Sequence, residues 1–229
     1  MCGRFFLSSP MELVASLLRI ERFTETSDIA PRWNVAPTQR VLIARLDEQG
    51  SRALFGVRWG LIPGWAKDAK IGARMINARS ETASEKPSFR NAWRRRRCIV
   101  PADGFYEWMR RGDAKRPFCF RRADGNLMGM AGIWEAWQGP EGDAVECCAI
   151  LTTAANGLVA AIHDRMPVIL DPADFGAWLD VDGTSAAEVS AMARPCSDDI
   201  LTSYEVSRLV NNARNDQPAC CEPISGGRC

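Results

Sequence analysis

Apolar residues recur at helical spacing over residues 11–20 (MELVASLLRI), directly after Ser8, Ser9 and Pro10, and predict an N-terminal helix. Residues 41–45 and 51–60 read as two strands around the turn residues 47–50. Further strands are predicted over 98–100, 105–108, 117–122, 127–134 and 145–153, with Gly112, Gly125 and residues 139–142 marking turns. Residues 172–179 and 186–193 read as helices. Strands do not alternate regularly with helices, so the expected class is α+β rather than doubly wound α/β. No internal repeat and no long linker is visible, which predicts one domain over residues 1–210. Residues 211–229 are polar and contain Gly, Pro and Cys, as a flexible tail would.

Composition narrows the class further. Hydrophobic residues make up 46% and charged residues 25% of 229, which excludes a disordered tail, a collagen-like fibre or a low-complexity scaffold. No apolar run approaches the ~20 residues of a membrane helix, and the mean hydropathy is −0.19. The N-terminus lacks an apolar core with a small-residue cleavage site, so a soluble, cytoplasmic protein with no membrane partner is expected. Nine cysteines are an odd number, none forms a C-x-x-C pair, and His163 is the lone histidine. The expectation is therefore no metal, no cofactor and free thiols, with most of them packed as small hydrophobes.

The net charge of +1 hides an asymmetry. Residues 1–122 carry 24 basic against 12 acidic side chains, and residues 123–229 carry 5 against 16. Of the 29 basic residues, 25 are Arg, whose planar fork pairs bidentately with phosphate. The same pattern fits a GC-rich genome that replaces Lys by Arg, or two halves that pair with each other. Arg90 and Arg94–Arg97 read either as a solvated helix face or as contacts to a nucleic-acid backbone.

Several residues can carry chemistry. Cys2 is either an unremarkable second residue or, once Met1 is removed, an α-amine (pKa ~7.7–8.0) beside a thiol (~8.5), both partly nucleophilic near neutrality. Such a 1,2-aminothiol captures an aldehyde in two steps, first as a Schiff base and then by sulfur closure to a thiazolidine ring. Gly3 and Arg4 add flexibility and a phosphate ligand next to it. His163, between Ile162 and Asp164–Arg165, can shuttle protons near pH 7, or is an ordinary surface or core residue. Glu107 sits in GFYEW, where a carboxylate is paired, exposed on the other strand face, or held with a raised pKa for proton transfer. Asn77 and Arg79 in MINARSET share one strand face, or belong to a turn or cap. PRWNVAP, with Asn34, and WGLIPGW, ending in Trp65, read as a rigid base-stacking platform or as core, with Trp59 assigned to the core.

MCGRF at the N-terminus, RWNVAP, WGLIPGW, INARSET, ADGFYEW and IHDRMP occur in the order found in the SRAP family. These are SOS-response-associated peptidase-like, abasic-site processing proteins, and the resemblance runs from Cys2 to Val210. It implies an α+β fold with a barrel-like, mostly antiparallel sheet surrounded by helices. It also implies that Cys2 bonds covalently to the ring-opened aldehyde of an abasic site in single-stranded DNA. Asn77 is then the active-site amide, Glu107 the acid/base for sugar ring opening, and His163 the proton-transfer group for Schiff-base formation and reversal. Arg4, Arg79 and Arg165 fall where the family contacts phosphates, and Asn34, Trp65 and Trp108 are expected to face DNA as well. Where many relatives carry a second Arg before the Pro of IHDRMP, this chain has Met166, which implies weaker local phosphate affinity. Two other classes remain open: a Cys2/His163 thiol hydrolase, acting on its own Met1, and a DNA-binding module without chemistry. A monomer is expected.

Overall fold

The computed structural model describes residues 2–24, 29–112 and 114–228. In chain order the elements are β1 (Phe5–Leu7), α1 (Met11–Leu18), β2 (Arg22–Phe23), β3 (Arg32–Val35), β4 (Arg40–Leu46) and β5 (Arg52–Trp59). Then come β6 (Asn77–Arg79), α2 (Ser80–Ala83), α3 (Arg90–Arg95), β7 (Arg97–Ala102), β8 (Gly104–Arg111) and β9 (Ala114–Arg122). The chain continues through β10 (Met128–Gln138), β11 (Ala144–Ala154), α4 (Gly157–Ala160), β12 (Arg165–Pro167), β13 (Ile169–Leu170), α5 (Phe175–Leu179) and α6 (Ala186–Met192). Last are β14 (Leu201–Val206) and β15 (Pro223–Arg228).

One sheet runs in the order β12-β11-β10-β7-β4-β5-β2. It curls until β5 meets β11 in parallel, with Cys147 beside Arg58 and Cys148 beside Trp59. That contact closes β5, β4, β7, β10 and β11 into a five-stranded barrel. Alternation along each strand sends one set of residues inward, among them Ile43, Trp59, Val100, Met130 and Ile150. The other set, including Ala44, Leu54, Ile99, Ile133 and Leu151, packs outward against α1, α3, α5 and α6. Burial on both faces explains why these strands read as nearly continuous apolar runs, and each large side chain so buried contributes roughly 1.5–3 kcal/mol. Arg45 takes an inward position two residues past Ile43 by lying between the rings of Phe55 (3.8 Å) and Trp134 (3.6 Å), and by pairing with Glu146 at 2.6 Å.

The second sheet, β15-β14-β9-β8-β1-β3, is antiparallel and carries the N-terminus. The serines just before α1 do not cap it, since its N-cap position is Pro10. Asp103, nearly buried, accepts from the Ser8 and Ser9 amides (2.6 and 2.8 Å) and from Ser9 Oγ (2.5 Å), which pins β1 to the β7–β8 corner. Residues 211–222, predicted as a flexible tail, instead lie against this sheet. Asp216 accepts from the Trp33 and Asn34 amides (2.6 and 3.1 Å) and pairs with Arg32, and Cys220 is fully buried beside Phe6 and Tyr106. Ion pairs and backbone donors hold this stretch, and neither leaves a mark on hydropathy.

One close approach positions the site. Gly60 has φ +132°, and a Cβ there would sit 2.6 Å from the Gly72 carbonyl oxygen. The resulting contact lets Leu61 N–H donate to Met75 O (3.1 Å), while Trp59 Nε1 and Ile150 N both donate to Ile76 O (2.8 and 3.0 Å). β6, and with it Asn77, is thereby held beside β11 at Ile150. No helix among the described residues is long and apolar enough to cross a membrane.

Candidate functional site

The N-terminal residues reach the site by strand pairing. In β1–β8, Phe5 stands opposite Phe105 and Phe6 opposite Gly104, and Tyr106 N–H donates to Arg4 O at 2.9 Å. Continued by two residues, this register brings Gly3 opposite Glu107 and Cys2 next to it. Cys2 is fully buried, with Sγ 3.9 Å from Arg4 O. Asn77 Nδ2 donates to Cys2 O at 2.8 Å, and its Oδ1 is buried with no hydrogen-bond partner among the described residues. Glu107 is 3% exposed, so the exposed alternative raised by its sequence context does not hold.

Electrostatics separate the two groups' roles. Burial pushes the Glu107 carboxyl above the ordinary carboxylate range, with the nearby His163 pulling partly the other way. Burial also pushes the Cys2 thiol far above its usual value, and the Glu107 charge adds to that. A proton is therefore retained readily on both. His163 follows α4, whose first turn is capped by Asn156 accepting from Val159 N–H (3.0 Å). Its Nδ1 lies 3.0 Å from the Arg165 amide, which can only donate, so the neutral ring carries its proton on Nε2. A protonated ring instead has Asp164 Oδ1 at 3.0 Å as its Nδ1 partner.

An open cleft of about 450 Å³ is lined by Glu107, Trp108, Arg110, Lys115, His163 and Asn211. A cavity of similar size, about 500 Å³, lined by Arg122, Asp171, Arg194 and Cys196 among others, shares none of these residues. Arg110, Lys115 and Asn211 are additions to the residues singled out from sequence. Arg110 was legible as the strand neighbour of Trp108 at i+2, but Lys115 needs the β8–β9 register that sets it directly opposite Arg110. Two like charges so placed repel each other unless an anion lies between them.

The predicted DNA contacts divide. Trp65 is 59% exposed on the loop after β5, and Arg79 is exposed at the end of β6. Trp108 is half-buried, its Nε1 donating to Asn211 Oδ1 at 2.7 Å, with Arg4 over its ring at 5.9 Å. Arg165 is engaged bidentately with Glu81 (2.6 and 2.8 Å) and with Thr152 O (2.7 Å), which holds the Glu81 carboxyl below its ordinary range.

Asn34 corrects an expectation: it is fully buried and does not face a ligand. Its Oδ1 accepts from Arg4 Nη1 (2.7 Å), and its Nδ2 donates toward Val210 O (3.3 Å), Asn212 O (3.1 Å) and Asn215 O (2.7 Å). It ties the segment after Val210 to the arginine under the cleft. Asn34→Ala is expected to lower stability by about 3 kcal/mol, since several buried polar groups lose their partner. Urea unfolding checks this, and a shift under about 0.5 kcal/mol, the range of an ordinary surface change, would contradict it.

Eight cysteines, Cys2 through Cys221, are free thiols, while Met1 and Cys229 lie outside the described residues. Among the described residues no group of three or more His, Cys, Asp or Glu is arranged to hold a metal ion.

The family model described as SOS response associated peptidase (SRAP) matches residues 1–213. The abasic site processing protein YoqW of Bacillus subtilis (strain 168) is 44% identical over 223 residues, covering 97% of this chain and 99% of the relative. The abasic site processing protein YedK of Escherichia coli (strain K12) is 36% identical over 230 residues, covering 98% and 100%. The mouse abasic site processing protein HMCES is 31% identical over 270 residues, covering 97% of this chain and 76% of its own. A solved structure from Bacteroides thetaiotaomicron superposes with a TM-score of 0.86 at 27% identity, covering 97% of this chain and 100% of that one. With the family model and relatives above 30% identity spanning nearly all of it, the chain belongs to the SOS response associated peptidase family.

Proposed function

We propose that this chain, with Met1 removed, processes abasic sites by capturing them covalently in single-stranded DNA through a thiazolidine between Cys2 and C1′ of the opened sugar. The observation that carries this reading is the meeting of Cys2, Asn77 and a buried, proton-retaining Glu107 beside a cleft flanked by cationic side chains. The names of the relatives support the substrate class.

The closed sugar is a hemiacetal, and Glu107 donates a proton to its ring oxygen and takes one from the C1′ hydroxyl as the aldehyde is released. The Cys2 amine then adds to C1′, and loss of one water leaves an imine. The Cys2 thiol adds across that C=N bond, its proton passing through Glu107 to the ring nitrogen. The net change is aldehyde plus aminothiol to thiazolidine plus water. A thiol held protonated by burial favours this order, with the amine attacking first. Asn77 fixes the Cys2 carbonyl and turns its amide oxygen toward the new amine or the sugar hydroxyls. His163, with its proton on Nε2, assists water loss and the reverse reaction. Arg4, Arg79, Arg110 and Lys115 supply phosphate attraction without base readout, as suits a lesion with no fixed sequence.

A thiol hydrolase needs a readily formed thiolate, and both burial and Glu107 work against one here. The test of the proposal is denaturing electrophoresis of the protein with a single strand carrying one abasic site, followed by mass measurement of the slow band. The expected mass is protein without Met1 plus DNA minus one water. No band, with Met1 absent and the lesion intact, would overturn the reading.

A further inference from the structure

The arginine run over residues 90–97 separates by where each side chain goes. Arg97 is buried and donates to Trp178 O (2.6 Å) and Asp180 O (2.8 Å). Arg96 pairs with Glu135 at 2.7 Å. Arg90, Arg94 and Arg95, with Lys86 just before them, are exposed, and among the described residues none of the four has an ion-pair partner. The neighbouring Glu85 is exposed too and pairs with none of them.

Arg90 N–H donates to Lys86 O at 2.9 Å, so helical bonding reaches back to Lys86. Arg90 and Arg94 stand one i+4 step apart, about 6 Å along the axis, with Lys86 in the turn that precedes the N-cap Phe89. Like charges at that spacing cost a helix stability rather than supporting it. The orientation is fixed from the other side: Ala92 and Trp93 are buried, with the Trp93 ring 6.0 Å from that of Trp178. Along the chain the run follows the strand of the candidate site: the exposed Arg79 ends β6, which carries Asn77, and α2 and α3 are the next helices.

We propose that this face of α3, with Lys86, is a second phosphate-binding surface that takes the backbone of the DNA strand where it leaves the lesion cleft. The proposal extends the DNA-capture reading above and rests on it for the identity of the ligand. Unpaired, outward-facing guanidinium groups at regular spacing suit a repeating anion, and they carry no means of reading bases. The surface adds affinity and leaves the chemistry of the cleft unchanged.

The test compares wild type with two triple variants, one with Arg90→Gln, Arg94→Gln and Arg95→Gln and one with Lys at the same three positions. Binding of an undamaged single strand of about 16 nucleotides, a length within reach of one such surface, is followed by fluorescence anisotropy across a salt series. Each lost contact should lower the slope of log affinity against log salt by about 0.7, so the Gln triple should lose about 2. Extrapolated from 1 M salt, that is roughly 50-fold weaker binding at about 0.15 M. The Lys triple should bind as wild type does, and the crosslinking rate of the Gln triple at saturating abasic DNA should be unchanged. Undamaged DNA offers no aldehyde, so this readout is separate from covalent capture: a slope change without any crosslink would sink only the earlier reading. An unchanged slope in the Gln triple would overturn the inference, as would an equal loss in the Lys triple. So would loss of binding to a poly-glutamate peptide with DNA binding intact, which would make the stripe a protein-docking face.

Discussion

A Cys2→Ala variant is expected to form no adduct that survives denaturation with an abasic single strand, a complete loss against wild type. The variant keeps a small second residue, so Met1 is still removed and an α-amine is still delivered beside Glu107 by the β1–β8 register. It can therefore make the imine and cannot close the ring. An open imine acidifies the neighbouring sugar proton and invites β-elimination, so strand cleavage should rise as the adduct disappears. Borohydride added during the reaction should reduce the imine and restore a stable band in Cys2→Ala. The fold should tolerate the change, because Cys2 contributes one small buried side chain and a weak contact to Arg4 O. A stable band in Cys2→Ala without reductant would show that the sulfur is not the second nucleophile. No band with reductant would show that the amine is not the first.

Replacing Glu107 by Gln should slow capture by about 10²- to 10⁴-fold, the usual worth of a positioned acid/base group. The size and polarity of the side chain are kept, and only its proton is lost. The pH profile carries the sharper signature. The acidic form of Glu107 persists above the ordinary carboxylate range, so wild-type rates should contain a limb that follows its titration, and the Gln variant should lack that limb. Stability moves with it. A carboxyl whose folded pKa is raised stabilises the fold fully below its unfolded value and loses that contribution as pH rises through the folded one. Glu107→Gln should therefore be the more stable protein near neutral pH, with the gap closing as the solution is acidified. Urea unfolding at a series of pH values reads this, and a gap that is constant or of opposite sign would mean that burial does not dominate the group's environment.

These two residues also mark how far reading the chain can go. The amphipathic helix over Met11–Leu18 and the strands around Ile43, Phe55, Val100 and Ile150 were legible, because their apolar periodicity is local and matches what burial on a barrel wall demands. Cys2 by itself reads as an aminothiol or as an ordinary second residue, and it was the order of the motifs that carried the family. Asn34 misled for a physical reason: an amide in a polar, aromatic segment looks the same whether it faces a ligand or holds three carbonyls from a segment some 180 residues away. The stretch after Val210 looked like a tail for the same reason, its order coming from Asp216 and from backbone donors on β3.

Residue types and local periodicity thus sufficed for the α+β class and the strands that build the barrel, both of which depend on neighbours along the chain. Only the folded chain decided that Glu107 is buried rather than exposed, that Cys2 arrives beside it, and that Lys115 and Asn211 join the cleft. Those outcomes depend on strand register and on the desolvation of one carboxyl. Both are set by contacts between segments about 100 residues apart in the case of Cys2 and Glu107, which no local pattern encodes.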